Sequence, residues 1–527
     1  MNYNLIMKFL SFFKVNDSFK AAKYSLLSTL VVGFISYSLL VIYRVGDPDT
    51  IIEGLTYYMN ATWAIVGCGR WLLPIINVLS GNVVMPIFIV TFYCFIMWLS
   101  AFLITKIWNI NKTILVIVIT VVMAVTPSTI IQLIAIYMGC DFAIACLLAT
   151  LFVYFCFNNN NKFSYLICVV CITLMLASYQ SYISYAACLS LMTIIIKCLI
   201  YEYIDYKNLI KAIITALIGC FLYLISYKVV LAVFSLESSS RMAEFSIKNM
   251  FTNLPKQILY LYNSYFGYFK DSIMQRYIIY ALLIITLIIC LISIIANKKY
   301  QIKNKIVIII CLLLIPLASN LVSIIIPKNP ITPFMTYQYI LTVPFIVCVC
   351  SHIDTNKFNS FILNIIVVLS LALTWTHIVS ANATYQCYKM SYDYVNNQFN
   401  QVVYDIEHFD GYEKDKTPVL IVGFFKDDTL RNNIKTYDYA IDLKTNLFDN
   451  DLFDNLVFWE DSSGVTFNRQ RYFLQYFGLD FKEITFNDYS SIINTNEFSE
   501  LNTWPDKNSI KMINDYLVVK IGENYVK

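Results

Sequence analysis

Charge is what this chain most lacks. Only 14% of its 527 residues are Asp, Glu, Lys or Arg, against about a quarter in ordinary soluble domains. That shortage, with a hydrophobic share of 58%, excludes a conventional soluble fold for most of the chain. Histidine is scarcer still: His352, His377 and His408 are the only three. So few imidazoles give no basis for a zinc centre built from protein ligands, and no metal site is expected. No glycine-rich phosphate loop follows a strand-like run, and no basic and aromatic pattern points to nucleic acid. The 15 cysteines do not make a disulfide framework. Cys94, Cys146, Cys168, Cys171, Cys220 and Cys290 sit inside apolar runs and read as small hydrophobes. Only Cys387 lies beyond the last such run, so the C-terminal part cannot close a disulfide within itself.

What the chain has is long apolar runs, each near the roughly 20 residues a helix needs to cross a hydrocarbon layer. They begin at residues 23–43 and end at residues 358–380. Between them, lysine-rich and lysine-poor corners alternate in a way that fits about eleven spans. Lys8, Lys14, Lys20 and Lys23 precede the first span and predict a cytoplasmic N-terminus. Lys106 and Lys112, Lys162, the Lys197–Lys211 region, Lys298 to Lys305, and Lys357 mark later cytoplasmic corners. That count places the C-terminus outside. The first run lacks a small-residue cleavage site and reads as a retained anchor. Residues 127–138 read either as a short outer helix or as part of a broken span, because Pro127 is tolerated near a helix start. The aromatic and basic segment 237–275 reads as an interfacial lid or a packing helix.

At Ala381 the texture changes to Asn, Asp, Tyr and Lys. The expected organisation is therefore a polytopic α-helical membrane domain over residues 1–380 and an extracytoplasmic soluble domain over residues 381–527. Mixed helical spacing over Tyr388–His408 and branched runs at Pro418–Phe424 and Tyr516–Ile521 predict a small α/β or α+β fold there.

The chemistry collects in the outer loops. Arg44-Val45-Gly46-Asp47-Pro48-Asp49 stands at the first membrane exit, followed by Gly54, Trp63 and Gly67-Cys68-Gly69-Arg70-Trp71. A carboxylate can take the proton of an attacking hydroxyl, and a guanidinium can hold a departing phosphate. Equally, such charges can do no more than solvate a loop beside the membrane. Asp141 near the outer start of one span and Tyr179-Gln180 at a short outer turn add a carboxylate, a stacking ring and an amide. Each also has a structural reading, as a solvated membrane-end acid and as an interfacial anchor with a turn contact. Arg44 and Lys228 read as phosphate contacts or as snorkelling side chains.

These residues resemble the bacterial Gtr family of serotype-converting glucosyltransferases, multispanning enzymes that modify lipopolysaccharide O-antigen. The family's first outer loop carries an acidic motif, a glycine, a tryptophan and a glycine-arginine pair, matched here by Asp47 and Asp49, Gly54, Trp63 and Gly69-Arg70. Asp141, Tyr179-Gln180 and the terminal Trp504-Pro505, Ser509-Ile510 and Tyr516–Lys520 extend the likeness over most of the chain. Two departures are Pro48, which separates acids that are usually adjacent, and Trp71, where proline is common.

The resemblance implies a GT-C-like membrane glycosyltransferase in a bacterial inner or plasma membrane. It would move a hexose, glucose first, from a polyprenyl-phosphate donor to O-antigen or another lipid-linked or surface polysaccharide. Asp47 or Asp49 would be the catalytic base, with Asp47 favoured by its spacing to Gly54. Arg70, supported by Arg44 and Lys228, would bind the donor phosphate, and Asp141, Tyr179, Gln180 and Trp63 the sugar or acceptor. No cofactor is implied beyond the donor substrate. The partners are membrane lipids, the acceptor polysaccharide, and a donor synthase and flippase; nucleic acid is not among them. The competing readings are a polysaccharide or lipid-linked oligosaccharide flippase and a polysaccharide polymerase. A flippase calls for polar groups at mid-membrane depth and inverted repeats, and neither stands out in the sequence.

Overall fold

The computed structural model describes residues 16–44, 65–159, 161–238, 247–270, 274–296, 301–325, 331, 333–352, 357–414, 416–423, 435–440, 460–461, 464–465 and 486–522. It divides into two compact units, Met1–Ile42 with Ala61–Asn382, and Tyr43–Asn60 with Ala383–Lys527.

The first unit is helical. Its elements are α1 (Asn16–Tyr43), α2 (Pro86–Ile107), α3 (Thr113–Ala124), α4 (Pro127–Ile134), α5 (Gly139–Asn158), α6 (Lys162–Ser178), α7 (Tyr182–Tyr201), α8 (Tyr206–Phe234), α9 (Ile247–Lys270), α10 (Met274–Ala296), α11 (Ile302–Ala318) and α12 (Thr342–His352). α13 (Lys357–Glu407) begins here and continues without interruption through Ala381 into the second unit. Among the described residues, six helices are long and apolar enough to cross a membrane, seven if the bent pair α3 and α4 counts as one span. Three shorter apolar helices, Lys162–Ser178, Arg276–Ile289 and Tyr337–His352, accompany them. The chain is thus a polytopic helical bundle of the multi-pass membrane type. The segment 237–275 contributes α9, whose Leu261 and Tyr265 are buried while Leu259 and Phe266 are exposed.

α5 lies at the centre, packed against α2, α6, α7 and α8. Small residues let the helices approach closely. A Cβ added at Gly219 of α8 would come within 2.7 Å of Ile172 Cβ on α6, and Thr173 Oγ1 reaches the Gly219 carbonyl at 3.1 Å. The C-terminal end of α5 is held by two lysines. Lys211 Nζ donates to Phe155 O, Asn159 O and Ser164 Oγ, each at 2.6 Å, and Lys197 Nζ donates to Phe157 O. Cations suit these carbonyls because the last turn of a helix has no N–H partners left for them. Lys211→Met should therefore destabilise the purified protein by about 3 kcal/mol, the order expected for charge-assisted bonds lost with their acceptors still buried. Thermal unfolding in detergent measures this.

The break between α3 and α4 bends the chain by 46°. Pro127 causes it, since it has no N–H to give the carbonyl four residues back, that of Met123. Side chains from elsewhere satisfy the freed carbonyls: Tyr337 Oη donates to Met123 O at 2.9 Å, Tyr37 Oη to Ala124 O at 2.8 Å, and His377 Nδ1 to Val125 O at 2.9 Å. A carbonyl only accepts, so His377 carries its proton on Nδ1, and its Nε2 faces Tyr280 Oη at 3.3 Å. Thr126 caps α4 through a reciprocal pair of bonds with Thr129. Residues 127–138 thus begin with a short helix bent against α3, the geometry of a broken span or of a re-entrant segment.

The second unit contains a three-stranded sheet formed by β1 (Val419–Val422), β2 (Ile510–Ile513) and β3 (Tyr516–Lys520). The order is β1-β3-β2, with β1 parallel and β2 antiparallel to β3. Alternation puts Val419, Ile421, Leu517 and Val519 against Phe399, Val402 and Ile406 of α13. The opposite face, with Leu420, Val422 and Val518, packs on Tyr489 and Ile492 of α14 (Phe486–Ile493). Trp504 Nε1 donates to Asp405 Oδ2 at 2.9 Å.

Candidate functional site

The bundle gathers Arg70, Asp141, Tyr179 and Gln180, drawn from three separate stretches of sequence. A short helical turn after Ile65 ends at Gly69, whose φ of +88° only glycine adopts readily. Cys68 and Gly69 close that turn onto Ile65 O and Val66 O at 3.0 and 2.8 Å. The chain then turns so that Leu72 N donates to Ala177 O at 3.1 Å, docking the segment on the end of α6.

This placement lays the Arg70 guanidinium over the Tyr179 ring, 4.6 Å from its centroid. Arg70 Nη1 also points at Met138 Sδ, 3.5 Å away. Burial alone would lower the guanidinium pKa, but the neighbouring Tyr179, Cys68, Tyr137 and Asp141 outweigh it, and the net direction is upward. Tyr179 is braced by an edge contact with Phe142 at 4.9 Å, and Phe142 in turn meets Phe334 at 6.2 Å.

Asp141 stands in the first turn of α5, where the helix dipole favours an anion. Its side chain is fully buried, and among the described residues no well-formed hydrogen bond reaches either carboxyl oxygen. Ser178 Oγ, at the end of α6, is a hydrogen-bonding neighbour of this carboxyl group, and among the described residues Arg70 Nε and Trp71 Nε1 have no acceptor. Arg70 and Asp141 feel each other's charge without forming a direct ion pair. A bare buried carboxylate costs several kcal/mol unless something satisfies it. Acceptors on Asp141 and donors on Arg70 and Ser178 suit a polar ligand that carries both hydroxyls and negative charge.

Gln180 is placed differently from Asp141. Its Nε2 donates to Cys68 O at 2.8 Å and to Tyr223 Oη at 2.9 Å, so its amide hydrogens hold the chain. Tyr223 Oη passes the chain on to Gly69 O at 3.1 Å, and Tyr227 Oη donates to Gly67 O at 2.5 Å. Sequence reasoning missed both tyrosines; the available signal was a pair spaced i and i+4 in an otherwise apolar helix. Lys228, the next residue, is exposed and lies about 100° round the helix. It does not join the cluster. Arg44 is exposed at the end of α1, in the second unit. Asp47, Asp49, Gly54 and Trp63 lie outside the described residues. Among the described residues, no group of three or more His, Cys, Asp or Glu is arranged to hold a metal ion.

Neither a curated protein nor a solved structure matches the chain. A family model described as Glucosyl transferase GtrII matches residues 52–349. The matched stretch contains Trp63, Arg70, Asp141, Tyr179, Gln180 and Lys228, and leaves Arg44, Asp47 and Asp49 just ahead of it. Because that match covers more than half of the 527 residues, the chain belongs to the Glucosyl transferase GtrII family, a family of glycosyltransferase type.

Proposed function

We propose that this protein transfers a hexose, glucose first, from a polyprenyl-phosphate donor to O-antigen or another surface polysaccharide on the outer face of the membrane. The observation that carries the reading is the fully buried Asp141 carboxyl group near Arg70 at the N-terminal end of α5, with no well-formed hydrogen bond from any described residue. A sugar phosphate has the complementary chemistry: hydroxyls for Asp141 and a charged phosphate for Arg70, whose guanidinium Tyr179 backs. The donor's hydrocarbon tail belongs in the membrane beside the bundle. The cluster also lies at the end of α5 opposite Lys197 and Lys211, in keeping with an extracytoplasmic site under the positive-inside rule.

In the proposed reaction, Asp47 or Asp49 removes the acceptor hydroxyl proton. The hydroxyl oxygen attacks the anomeric carbon, and the bond to phosphate breaks with its electron pair leaving on the lipid phosphate. Arg70 stabilises that charge as it develops. The span count of about eleven, the GT-C-like architecture and the outward placement of residues 381–527 belong to the same proposal.

The test pairs surface-glycan analysis with and without the protein with transfer assays that supply defined lipid-phosphate sugars to the purified chain. The expected result is addition of single hexose units without a change in polymer length. Altered polymer length would mark a polymerase, and no transfer by folded protein across a broad donor panel would remove the enzymatic reading.

A further inference from the structure

Three consecutive backbone carbonyls lead into Arg70, and each is held by a different side chain. Gly67 O receives Tyr227 Oη, Cys68 O receives Gln180 Nε2, and Gly69 O receives Tyr223 Oη. The proton count fixes the direction of the chain. Gln180 spends its two amide hydrogens on Cys68 O and Tyr223 Oη, which leaves the single Tyr223 hydroxyl proton for Gly69 O. The Tyr223 and Tyr227 rings lie nearly parallel, at 9° with centroids 6.3 Å apart, so the two hydroxyls are set one helical turn apart on the same face of α8. Both rings are buried although much of the rest of α8 is exposed, and Gly219, a turn earlier on this helix, lets α8 approach α6 closely.

A turn containing two glycines has little stiffness of its own. Its conformation, and with it the direction from which Arg70 leaves the backbone, is set from outside.

We infer that Tyr223, Tyr227 and Gln180 are positioning residues for Arg70, so that α8 fixes where the guanidinium meets the anionic part of the ligand. None of the three needs to touch the ligand. The inference rests on the proposed donor-binding role of Arg70.

The test uses full-length protein in nanodiscs, with polyprenyl-phosphate glucose as donor. The variants are Tyr223→Phe, Tyr227→Phe and their combination, each also made in an Arg70→Ala background. The double variant should raise the donor KM about fivefold or more, the scale of lost single hydrogen bonds, with the acceptor KM unchanged. Because the tyrosines act through Arg70, the same changes should have no further effect once Arg70 is alanine. An unchanged donor KM in folded Tyr223→Phe/Tyr227→Phe overturns the inference, as does an equal loss with and without Arg70. If the double variant fails to accumulate in membranes, Gln180→Ala supplies the same comparison from a half-buried side chain. If Arg70→Ala itself leaves the donor KM unchanged, the fault lies with the proposed phosphate role and not with the clamp.

Discussion

Asp141→Asn is expected to give a protein that melts no lower than the native chain and transfers sugar about a hundredfold more slowly. The two halves of that result have one cause. A fully buried carboxyl group that no described residue meets with a well-formed hydrogen bond is a standing cost to the fold, and the amide keeps its shape without an ionisable group to desolvate. Sugar hydroxyls bound to a buried carboxylate are charge-assisted and individually worth about 1.5–3 kcal/mol, which sets the size of the expected loss. Stability gained with activity lost is the pattern of a residue kept for its ligand. Melting curves and transfer rates on the same purified samples check it. An Asp141→Asn protein that melts lower yet transfers at the native rate per folded molecule would make Asp141 a structural residue and sink the site.

Removing the acids of the first outer loop should have the larger effect. Asp47→Ala or Asp49→Ala, whichever is the base, should lower transfer by about 10²–10⁴, the range that general-base catalysis contributes. The spacing of Asp47 to Gly54 makes Asp47→Ala the expected stronger loss. This prediction rests on the sequence, since both residues precede the family match and lie outside the described residues. Glycan analysis with membrane abundance measured in parallel separates catalysis from folding. Full retention of the modification in both variants defeats the carboxylate-base proposal.

The helices were legible in the sequence because they are written as long apolar runs, a signal that needs no tertiary information. The break at Pro127 was legible as an open choice, because proline both starts and interrupts helices. The carbonyls at the bend are satisfied by Tyr37, Tyr337 and His377, residues that no local pattern connects to Met123, Ala124 and Val125. The change of composition at Ala381 is real, yet α13 runs through it, because a helix can exchange an apolar environment for a polar one without a change in its backbone bonding.

The candidate site divides in the same way. Arg70, Asp141, Tyr179 and Gln180 could be named from residue type and membrane-end position, and the bundle brings them together. What each contacts could not be named. Gln180 looks like a sugar ligand by its chemistry, but its amide hydrogens are engaged by Cys68 O and Tyr223 Oη. In Tyr223-Leu224-Ile225-Ser226-Tyr227-Lys228 the charged residue draws attention, yet the two phenols reach the Arg70 turn while Lys228 is exposed. A tyrosine in an apolar helix reads as packing until its hydroxyl is seen to have a carbonyl within reach.

The junction at Pro127 also sets an order of events in biosynthesis. Until a partner arrives, a backbone carbonyl freed inside hydrocarbon has nothing to bond with, at a cost of several kcal/mol. Val125 must wait for His377, a residue made 252 positions later. A nascent chain released before that point carries an unfinished break in its third span, however well its earlier helices have inserted. The ribosome must therefore pass residue 377 before the Val125 carbonyl can gain this bond, which makes α13 the last element to join the junction.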